Sequence, residues 1–444
     1  MAMGERLLRS AFSWQAFSKA DALKKRILFT LGALIVYRLG TYIPLAGVDP
    51  QQMLALTRQH AGGFLGMLDM FSGGAVGRAT IMSLNIIPYI TASIIVQLLT
   101  VVLPHFEALR KEGESGRKKL NQYTRYLTVF LATFEAYAIA SGLEFLGHGG
   151  ASVVLDPGLF FRMSTVVTLV GSTLFLVWLG EQITARGIGN GSSMIIYTGI
   201  VANLPQAAWR TFELGRTGAV NMAVILLILV LIAAVVSFVV FMERAHRRVV
   251  VQYPKRQVGI KMTQGGSSYL PVKLNTSGVL PPIFASAVLM MPPTLLGNLA
   301  VLKSSSWWGA IAGALTHGHP VFILLYVSLI VFFSFFYTAI VFNPKETADN
   351  LQKNHGFVPG YKPGETTASY FDYLLTRLTV IGSAYLAFVC ILPELVMSQV
   401  AVSFFFSGTS LLILVSVTMD VMSQAQTHLI SYQYEGLLKR HKRG

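Results

Sequence analysis

Residues 64–77 read FLGMLDMFSGGAVG, and residues 78–103, which follow directly, read RATIMSLNIIPYITASIIVQLLTVVL. The second stretch is apolar and long enough to cross a membrane as a helix, which takes about 20 residues. The first stretch would form a helix only about 20 Å long, short of the roughly 30 Å hydrocarbon core. Its glycine pair would end a helix, and Asp69 would be costly facing lipid. The first stretch is therefore either an extracytoplasmic loop or a half-helix inside a water-lined cavity.

The composition is typical of a membrane protein. Hydrophobic residues make up 53% of the 444 residues, charged residues make up 12%, and the mean hydropathy is +0.58. A soluble domain carries about 25% charged residues. Hydropathy predicts about ten membrane-spanning helices. They cover residues 27–43, 79–103, 127–146, 160–179, 193–209, 220–242, 278–302, 321–342, 373–392 and 404–422.

The basic residues predict the orientation of these spans. Most of the 35 Lys and Arg residues fall in alternate loops and in the two terminal segments, and basic loops stay in the cytoplasm. We therefore predict cytoplasmic N- and C-termini and an extracytoplasmic loop that contains residues 64–77. The first span lacks a small-residue cleavage site, so we expect it to be retained. The single cysteine, Cys390, excludes an intramolecular disulfide, and no metal site is expected.

Three predicted cytoplasmic loops are strongly basic: residues 107–125, 243–262 and 343–365. Positive-inside topology and anionic lipid headgroups account for such charge on their own. The loop of residues 243–275 is longer than a connector needs to be, and its alternating β-branched pattern predicts a protruding hairpin. Lys255 and Arg256 would lie at its tip, where they suit a ribosome or an acidic protein surface.

A series of motifs connects the chain to a known family. In chain order they are MFSGGA, IPYITASIIVQLLT, RKEGESGRKKLNQYTRY, WLGEQITARGIGNG, QYPKRQ, FFYTAIVFNPKETADNL, FVPGYKPGE and GTSLLILVSVTMDVM. With these motifs the chain resembles the SecY family of bacterial protein-conducting channel subunits, from about residue 23 to residue 435.

The resemblance implies an all-α polytopic membrane protein with two pseudo-symmetric halves of five spans, residues 1–209 and 210–444, and cytoplasmic loops at 243–275 and 343–372. It implies a channel in the bacterial cytoplasmic (inner) membrane that passes unfolded secretory polypeptides across and releases membrane segments laterally into lipid. Such a channel is not an enzyme and needs no cofactor. The implied partners are the small subunits SecE and SecG, the SecA motor, a translating ribosome, preproteins with signal sequences, membrane lipids, and the accessory SecD, SecF and YidC-like insertase.

The same resemblance assigns residues 64–77 to the plug, a half-helix that closes the pore from outside. The plug residues it implies are Phe64, Leu65, Met67, Leu68, Asp69, Met70, Phe71, Ser72, Gly73 and Gly74. The glycines would form a hinge, and Asp69 and Ser72 would suit an aqueous funnel. The alternative is a loop cap with no gating role.

A ring of branched apolar side chains is implied at the narrowest point of the pore. Matched by motif, its members are Ile86, Ile90, Ile196, Ile200, Ile283 and Ile413. Such a ring dewets and blocks ions at rest, and it makes no directional bonds with a passing polypeptide. Without the resemblance, isoleucines in membrane helices would be interpreted as packing or lipid contacts.

Lateral release in the family occurs between the second and seventh spans. Pro88 is expected to break the second span, and the prolines at 281–282 and 292–293 the seventh. Three polar residues are candidates for contacts that hold this gate closed: Thr91, Gln97 and Asn275. Each of them could equally satisfy the backbone of its own helix.

Docking of cytoplasmic partners is assigned to basic residues of two loops. They are Arg247, Arg248, Lys255, Arg256, Lys261 and Lys362. Lys362 stands where the family usually has arginine, and Ile260 with Lys261 stands where it has a basic pair. Lysine keeps the charge but lacks the bidentate fork, which makes docking at Lys362 less secure than at the hairpin tip.

A secondary transporter of a small solute is the alternative function, because it would share the length and the broken helices. It would need a charged site at mid-membrane, and the charged residues in or near the spans are scattered along the chain. An intramembrane enzyme fits less well, since the chain has neither HExxH nor a complete phosphate loop. Glu135, in the third span, is a functional candidate or pairs with a basic or hydroxyl neighbour.

Overall fold

The computed structural model describes residues 21–59, 69, 72–146, 153–218, 221–254, 256–258, 261–263, 266–296, 319–399 and 408–441. These residues are mainly helical. The helices are α1 (Asp21–Gly40), α2 (Pro50–Gln59), α3 (Ile87–Val102), α4 (Pro104–Lys111), α5 (Glu114–Leu146), α6 (Leu159–Arg186), α7 (Gly191–Arg216), α8 (Met222–Arg244), α9 (Leu280–Leu296), α10 (Pro320–Val341), α11 (Pro344–Lys353), α12 (Glu365–Gln399) and α13 (Gly408–His441). Four strands lie between α8 and α9: β1 (His246–Gln252), β2 (Arg256–Val258), β3 (Lys261–Thr263) and β4 (Ser267–Lys273).

The chain divides into two compact units. The first unit holds the described residues up to 211, together with 290–296 and 417–441. The second unit holds the described residues of 212–289 and 319–416. The boundary at residues 209 and 210 and the pseudo-symmetry of the halves stay predictions.

All ten predicted spans overlap helices of the structure. Among the described residues, six helical segments are long and apolar enough to cross a membrane, and they lie in α5, α6, α8, α10 with α11, α12 and α13. A seventh results if α3 and α4, which are bent by 98°, count as one span. The prediction of a helical membrane protein is confirmed, and the number of ten crossings stays a prediction.

The second predicted span is shorter as a helix than as an apolar run. The helix α3 begins at Ile87, and residues 72–86 form turns instead. Ala79 and Asn85 in that stretch have φ angles of 46° and 52°, which a right-handed helix does not contain. Pro88 lies in the first turn of α3, where its missing N–H costs no helix hydrogen bond. The expectation that Pro88 breaks the span is therefore wrong.

Pro205 does not end the fifth predicted span. The helix α7 continues through Pro205 to Arg216 and is 26 residues long. A proline inside a helix removes one backbone hydrogen bond but leaves the surrounding turns in place when packing supports them. The fifth span is thus long enough to cross a membrane, although its apolar run is short.

The core of the first unit lies around α5, which contacts both α3 and α6. Ala136 and Ala140 of α5 are fully buried beside Leu169 of α6, and Leu84 before α3 belongs to the same cluster. Small side chains at positions four residues apart lie on one face of a helix and let neighbouring backbones approach closely. The Ser172 hydroxyl on α6 also donates to the carbonyl of Ile81, which ties the turns before α3 to this core.

Two ion pairs join α5 to α6, and they differ in burial. Glu144 accepts from Arg162 Nε at 2.7 Å and from the backbone N–H of Gly158 at 3.0 Å, and its side chain is only 8% exposed. Arg125 and Glu181 form a bidentate pair at 2.6 Å, with side chains 54% and 36% exposed. Removal of one partner from a buried pair is expected to destabilise the fold more than removal of one from an exposed pair, because the remaining groups lose their acceptor away from water.

We expect Glu144→Ala to lower the free energy of unfolding by about 2 kcal/mol, because it leaves the Arg162 charge and the Gly158 N–H without their acceptor. The matched variant Glu181→Ala should lower it by less than about 1 kcal/mol, since that pair faces solvent. Unfolding of the purified protein in mixed SDS micelles measures both values. Equal losses for the two variants would contradict this ranking.

In the second unit, the loop after α8 forms the hairpin that its alternating pattern predicts. Strand β1 pairs with β4 antiparallel, with Val249 opposite Leu270, and β2 pairs with β3. Val249 and Val272 pack into one buried cluster with Phe371 and Leu375 of α12. The hairpin is therefore part of the fold of this unit and not a separate appendage.

Candidate functional site

The plug prediction falls only partly on described residues. Phe64, Leu65, Met67, Leu68, Met70 and Phe71 lie outside the residues that the structure describes. Asp69, Ser72, Gly73 and Gly74 are described. The described part of the candidate site consists of the C-terminal end of the predicted plug and the turns that follow it.

Asp69 and Ser72 form hydrogen bonds within the turn that ends at Gly77. The Asp69 carboxylate accepts from the Gly77 N–H at 2.5 Å, and its carbonyl accepts from the Gly74 N–H at 2.8 Å. The Ser72 hydroxyl donates to the Asp69 carbonyl at 3.0 Å and accepts from the Val76 N–H at 3.2 Å. Ser72 is fully buried. These hydrogen bonds close the turn on itself, so the expectation that Ser72 faces an aqueous funnel is wrong.

The turns after the plug are further anchored by buried hydroxyl groups. Ser83 and Thr80 both donate to the carbonyl of Ala75, each over 3.1 Å. The Tyr37 hydroxyl on α1 donates to the carbonyl of Ser72 over 3.4 Å. Each bond satisfies a buried backbone carbonyl that no helix or strand would pair. Residues 75–86 thus form hydrogen-bonded turns that directly follow the end of the predicted plug.

The predicted pore-ring residues lie in both units. Ile86 is fully buried directly before α3, and Ile90 is half-buried one turn later. Ile196 and Ile200 are buried one turn apart on α7. Ile283 on α9 is half-buried and Ile413 on α13 is buried, and both belong to the second unit. The assembly of all six into one ring stays a prediction.

The predicted gate residues make hydrogen bonds close to their own positions. The Thr91 hydroxyl donates to the Ile87 carbonyl at 3.2 Å, and Gln97 Nε2 donates to the Ser93 hydroxyl at 3.3 Å, both within α3. The Thr91 contact favours the alternative that the residue satisfies the backbone of its own helix, whereas Gln97 bonds to a side chain of α3 and not to its backbone. A role in a closed gate stays a prediction for both residues.

Asn275 lies in the turn before α9 and bonds differently. Its Nδ2 donates to Glu243 Oε1 at the end of α8, over 2.8 Å, and to the Gly278 carbonyl over 3.0 Å. The Ser277 hydroxyl donates to Asn275 Oδ1 over 3.0 Å. Asn275 thereby ties the start of α9 to the end of α8 within the second unit.

The predicted docking residues cluster at the hairpin and the loop beside it. Arg247 and Arg248 are exposed on β1, Arg256 begins β2, and Lys261 begins β3. Lys255 lies outside the described residues. Lys362 is exposed in the turn before α12, and its carbonyl accepts from the Thr367 hydroxyl at 2.8 Å.

The structure brings the two basic loops together, which the sequence did not predict. Gln252 at the end of β1 and Phe357 exchange two backbone hydrogen bonds, of 2.9 and 3.0 Å. Val358 packs in the same buried cluster as Val249 of the hairpin. A Cβ at Gly356 would lie 3.0 Å from the Tyr253 ring, so only glycine allows this approach without a shift. The hairpin and the loop of residues 343–372 therefore form one body.

Glu135 lies in the middle of α5. In the part of the chain that the structure describes, its half-buried side chain makes no hydrogen bond or ion pair. Within the same part, no three His, Cys, Asp or Glu side chains cluster as metal ligands would. Sequence reasoning also missed Arg38, Arg78 and Gly199, which contact the plug end and carry no motif of their own.

Comparison with known proteins finds relatives that all belong to one family. The SecY family model matches residues 80–422. The protein translocase subunit SecY of Rickettsia bellii strain RML369-C is 50% identical over 430 residues, which cover 96% of this chain and 99% of that protein. The protein translocase subunit SecY of Escherichia coli strain K12 is 51% identical over 418 residues, 94% of each chain.

Solved structures share the fold at lower identity. A chain from the structure of a protein conducting channel matches with a TM-score of 0.68 and 17% identity, covering 92% of this chain and 93% of that one. Sec61 in a canine ribosome-channel complex matches with a TM-score of 0.64 and 18% identity, with the same coverage. At this identity the likeness shows the fold, while the family model and the bacterial relatives cover most of the sequence. The chain therefore belongs to the SecY family.

Proposed function

We propose that the chain is the pore-forming subunit of a protein-conducting channel in the bacterial cytoplasmic membrane. It passes unfolded secretory polypeptides across the membrane and releases membrane segments sideways into lipid. The observation that carries the proposal is family membership over nearly the whole chain. The termini and the basic loops face the cytoplasm in this proposal, as the distribution of Lys and Arg favours.

The seal of the resting channel consists of two parts in series. The first is the isoleucine ring, whose apolar surface excludes water and ions without binding a passing peptide. The second is the plug of residues 64–77, whose C-terminal end is continuous with the hydrogen-bonded turns that extend to residue 86. Buried isoleucines at 196 and 200 lie on α7, four residues apart, so they present two apolar side chains on one helix face.

The proposed partners of the channel are small membrane subunits and a cytoplasmic motor or ribosome. We propose that it assembles with the small subunits SecE and SecG and works with the SecA motor or a translating ribosome. Related folds are known from a canine ribosome-channel complex and from a yeast Ssh1 complex bound to the 80S ribosome. The combined body of hairpin and loop, with Arg247, Arg248 and Lys362 exposed, provides a basic surface for such a partner.

The function is tested by co-purification followed by reconstitution. We expect two small membrane subunits to co-purify with the chain, and proteoliposomes of this complex to import an unfolded preprotein when a motor and ATP are supplied. Liposomes without the motor should import neither preprotein nor a radiolabelled small solute. Motor-independent uptake of the solute, without preprotein import, would support a secondary transporter instead.

A charge reversal tests docking at the hairpin. We expect Lys255→Glu with Arg256→Glu to weaken binding of ribosomes or motor about tenfold at low salt and less at high salt, because screening removes most of the electrostatic attraction at high salt. The pair Arg247→Glu with Arg248→Glu, on exposed positions of β1, compares the base of the hairpin with its tip. Co-sedimentation measures both pairs. Unchanged binding of the tip variant at both salt concentrations would contradict docking there.

A further inference from the structure

Two arginines meet at one carbonyl group of the plug end. Arg38 Nη1 of α1 donates to the Gly73 carbonyl at 3.1 Å, and Arg78 Nη2 donates to the same oxygen at 3.2 Å. A carbonyl oxygen has two lone pairs, so it can accept from both guanidinium groups at once. Hydrogen bonds from ionised donors are stronger than those between neutral groups. The Gly73 carbonyl is therefore a strong attachment point for the end of the plug.

Tyr42 stabilises the two cations in this arrangement. The Arg78 guanidinium lies 4.3 Å from the centroid of the Tyr42 ring, and that of Arg38 lies 5.5 Å from it. Arg38 Nη2 also donates to the Tyr42 hydroxyl over 3.4 Å. The face of an aromatic ring attracts cations, which offsets the repulsion between two guanidinium groups that share one acceptor. We call Arg38, Arg78, Tyr42 and the Gly73 carbonyl the arginine clamp.

The same glycine touches α7 between two predicted pore-ring residues. Gly73 has a φ angle of 68°, and a Cβ added to it would lie 2.8 Å from Arg38 Nη1, 2.9 Å from the Cα of Gly199 and 3.1 Å from the Gly199 carbonyl oxygen. Gly199 lies on α7 between Ile196 and Ile200. Gly74 has a φ angle of 84°, but a Cβ there would approach only the Arg78 side chain, at 3.1 Å. Gly73 is thus required for close contact with the α7 backbone, in addition to its left-handed conformation.

We propose that Arg38, Arg78 and the contact of Gly73 with Gly199 are positioning elements of the channel seal. They hold the C-terminal end of the plug against α1 and against the pore-lining turn of α7. Displacing the plug then requires both bonds to the Gly73 carbonyl to break and the two glycines to separate. The glycines act as a fixed contact and not as a free hinge. The inference rests on the proposed function, because only a gated channel needs a plug that is held and released.

A labelling experiment tests the clamp on the resting complex without any substrate. Val76, four residues after Ser72, is 9% exposed, and its backbone N–H bonds to Ser72. With Val76→Cys and Cys390→Ala introduced, the thiol at position 76 should react slowly with a membrane-impermeant maleimide. We expect Arg38→Gln with Arg78→Gln to raise that rate about tenfold or more, since two charge-assisted bonds are lost. Each single variant should raise it less, because the other guanidinium remains on the carbonyl.

A glycine series separates the backbone contact from left-handed strain. Gly73→Ala, Gly74→Ala and Gly113→Ala all place alanine at a positive φ angle, of 68°, 84° and 75°, and Gly113 has nothing within 4 Å of an added Cβ. We expect faster labelling for Gly73→Ala than for Gly74→Ala, and the parent rate for Gly113→Ala. Arg125→Gln, which removes an arginine from an exposed ion pair elsewhere, is the matched control for the clamp variants.

Two outcomes overturn the proposal. The first is parent labelling for both the double arginine variant and Gly73→Ala in complexes that assemble normally. The second is equal acceleration for Gly73→Ala and Gly113→Ala, which would assign the effect to strain alone. Preprotein import by the parent complex is measured in parallel. A parent complex that imports no preprotein contradicts the proposed function. Normal import by the parent, together with a labelling rate that the clamp variants do not change, contradicts only the clamp.

Discussion

Deletion of residues 65–74 is expected to raise the resting ion conductance of the reconstituted channel about a hundredfold. The deletion removes Gly73, whose carbonyl accepts from Arg38 and Arg78. Two charge-assisted bonds contribute about 3 kcal/mol to the closed state, and about 1.4 kcal/mol corresponds to a factor of ten in an equilibrium. Preprotein import should continue, because the deletion leaves the proposed isoleucine ring and the proposed lateral exit unchanged, and neighbouring loop residues can partly refill the funnel.

Planar-bilayer recordings of the purified complex measure this effect as brief openings in the absence of substrate. Deletion of four residues in another loop that is predicted to be extracytoplasmic, 147–150, provides a control for loop shortening. A deletion variant that is as ion-tight as the parent would return residues 64–77 to the alternative of a loop cap with no gating role.

Asparagine in the isoleucine ring is expected to open the channel by a different route. Ile413 is 1% exposed on α13, so an amide in its place would be buried in the closed state. Burying a polar group without a hydrogen bond costs about 1–3 kcal/mol, which raises the open fraction by a factor of about 5 to 150. The lower barrier should also let preproteins with weakly apolar signal sequences through. Ile90→Asn, at a half-buried position on α3, should act in the same direction.

The conservative change Ile413→Val is the matched control, since the side chain stays apolar and loses only one methylene group. Conductance and import of a preprotein with a shortened signal sequence are the two readouts. If the asparagine variants neither leaked nor relaxed signal selection, Ile413 and Ile90 would be packing residues and not part of a seal.

Hydropathy predicted the helices well because each apolar run corresponds to a helix of the structure. It failed for residues 79–86, which are apolar but form turns that are held by buried hydroxyl groups and by positive φ angles. Apolar composition gives the preference for burial, but the local hydrogen bonds that Ser83 and Thr80 make to Ala75 decide the conformation. Pro88 was expected in mid-helix for the same reason.

Family motifs gave predictions for parts of the candidate site but none for its long-range contacts. The plug and the isoleucine ring come from those motifs and stay predictions. The arginine clamp does not come from them, because Arg38 and Gly73 are 35 residues apart and neither identity nor spacing indicates that a guanidinium reaches a backbone carbonyl. The pairing of the two basic loops was not predictable either. It depends on backbone hydrogen bonds between Gln252 and Phe357, which are far apart in the sequence and belong to no periodic pattern.

Crosslinking to a stalled polypeptide tests the central claim most directly. A preprotein halted during motor-driven import should crosslink to a photoreactive residue placed at Ile90 or Ile200, the predicted ring positions. It should not crosslink to one at Val230, which is 62% exposed on α8 and serves as the control. Crosslinks at both ring positions and none at Val230 are the predicted result. No crosslink at Ile90 or Ile200 while import proceeds, or equal crosslinks at all three positions, would contradict the account of a pore sealed by these isoleucines.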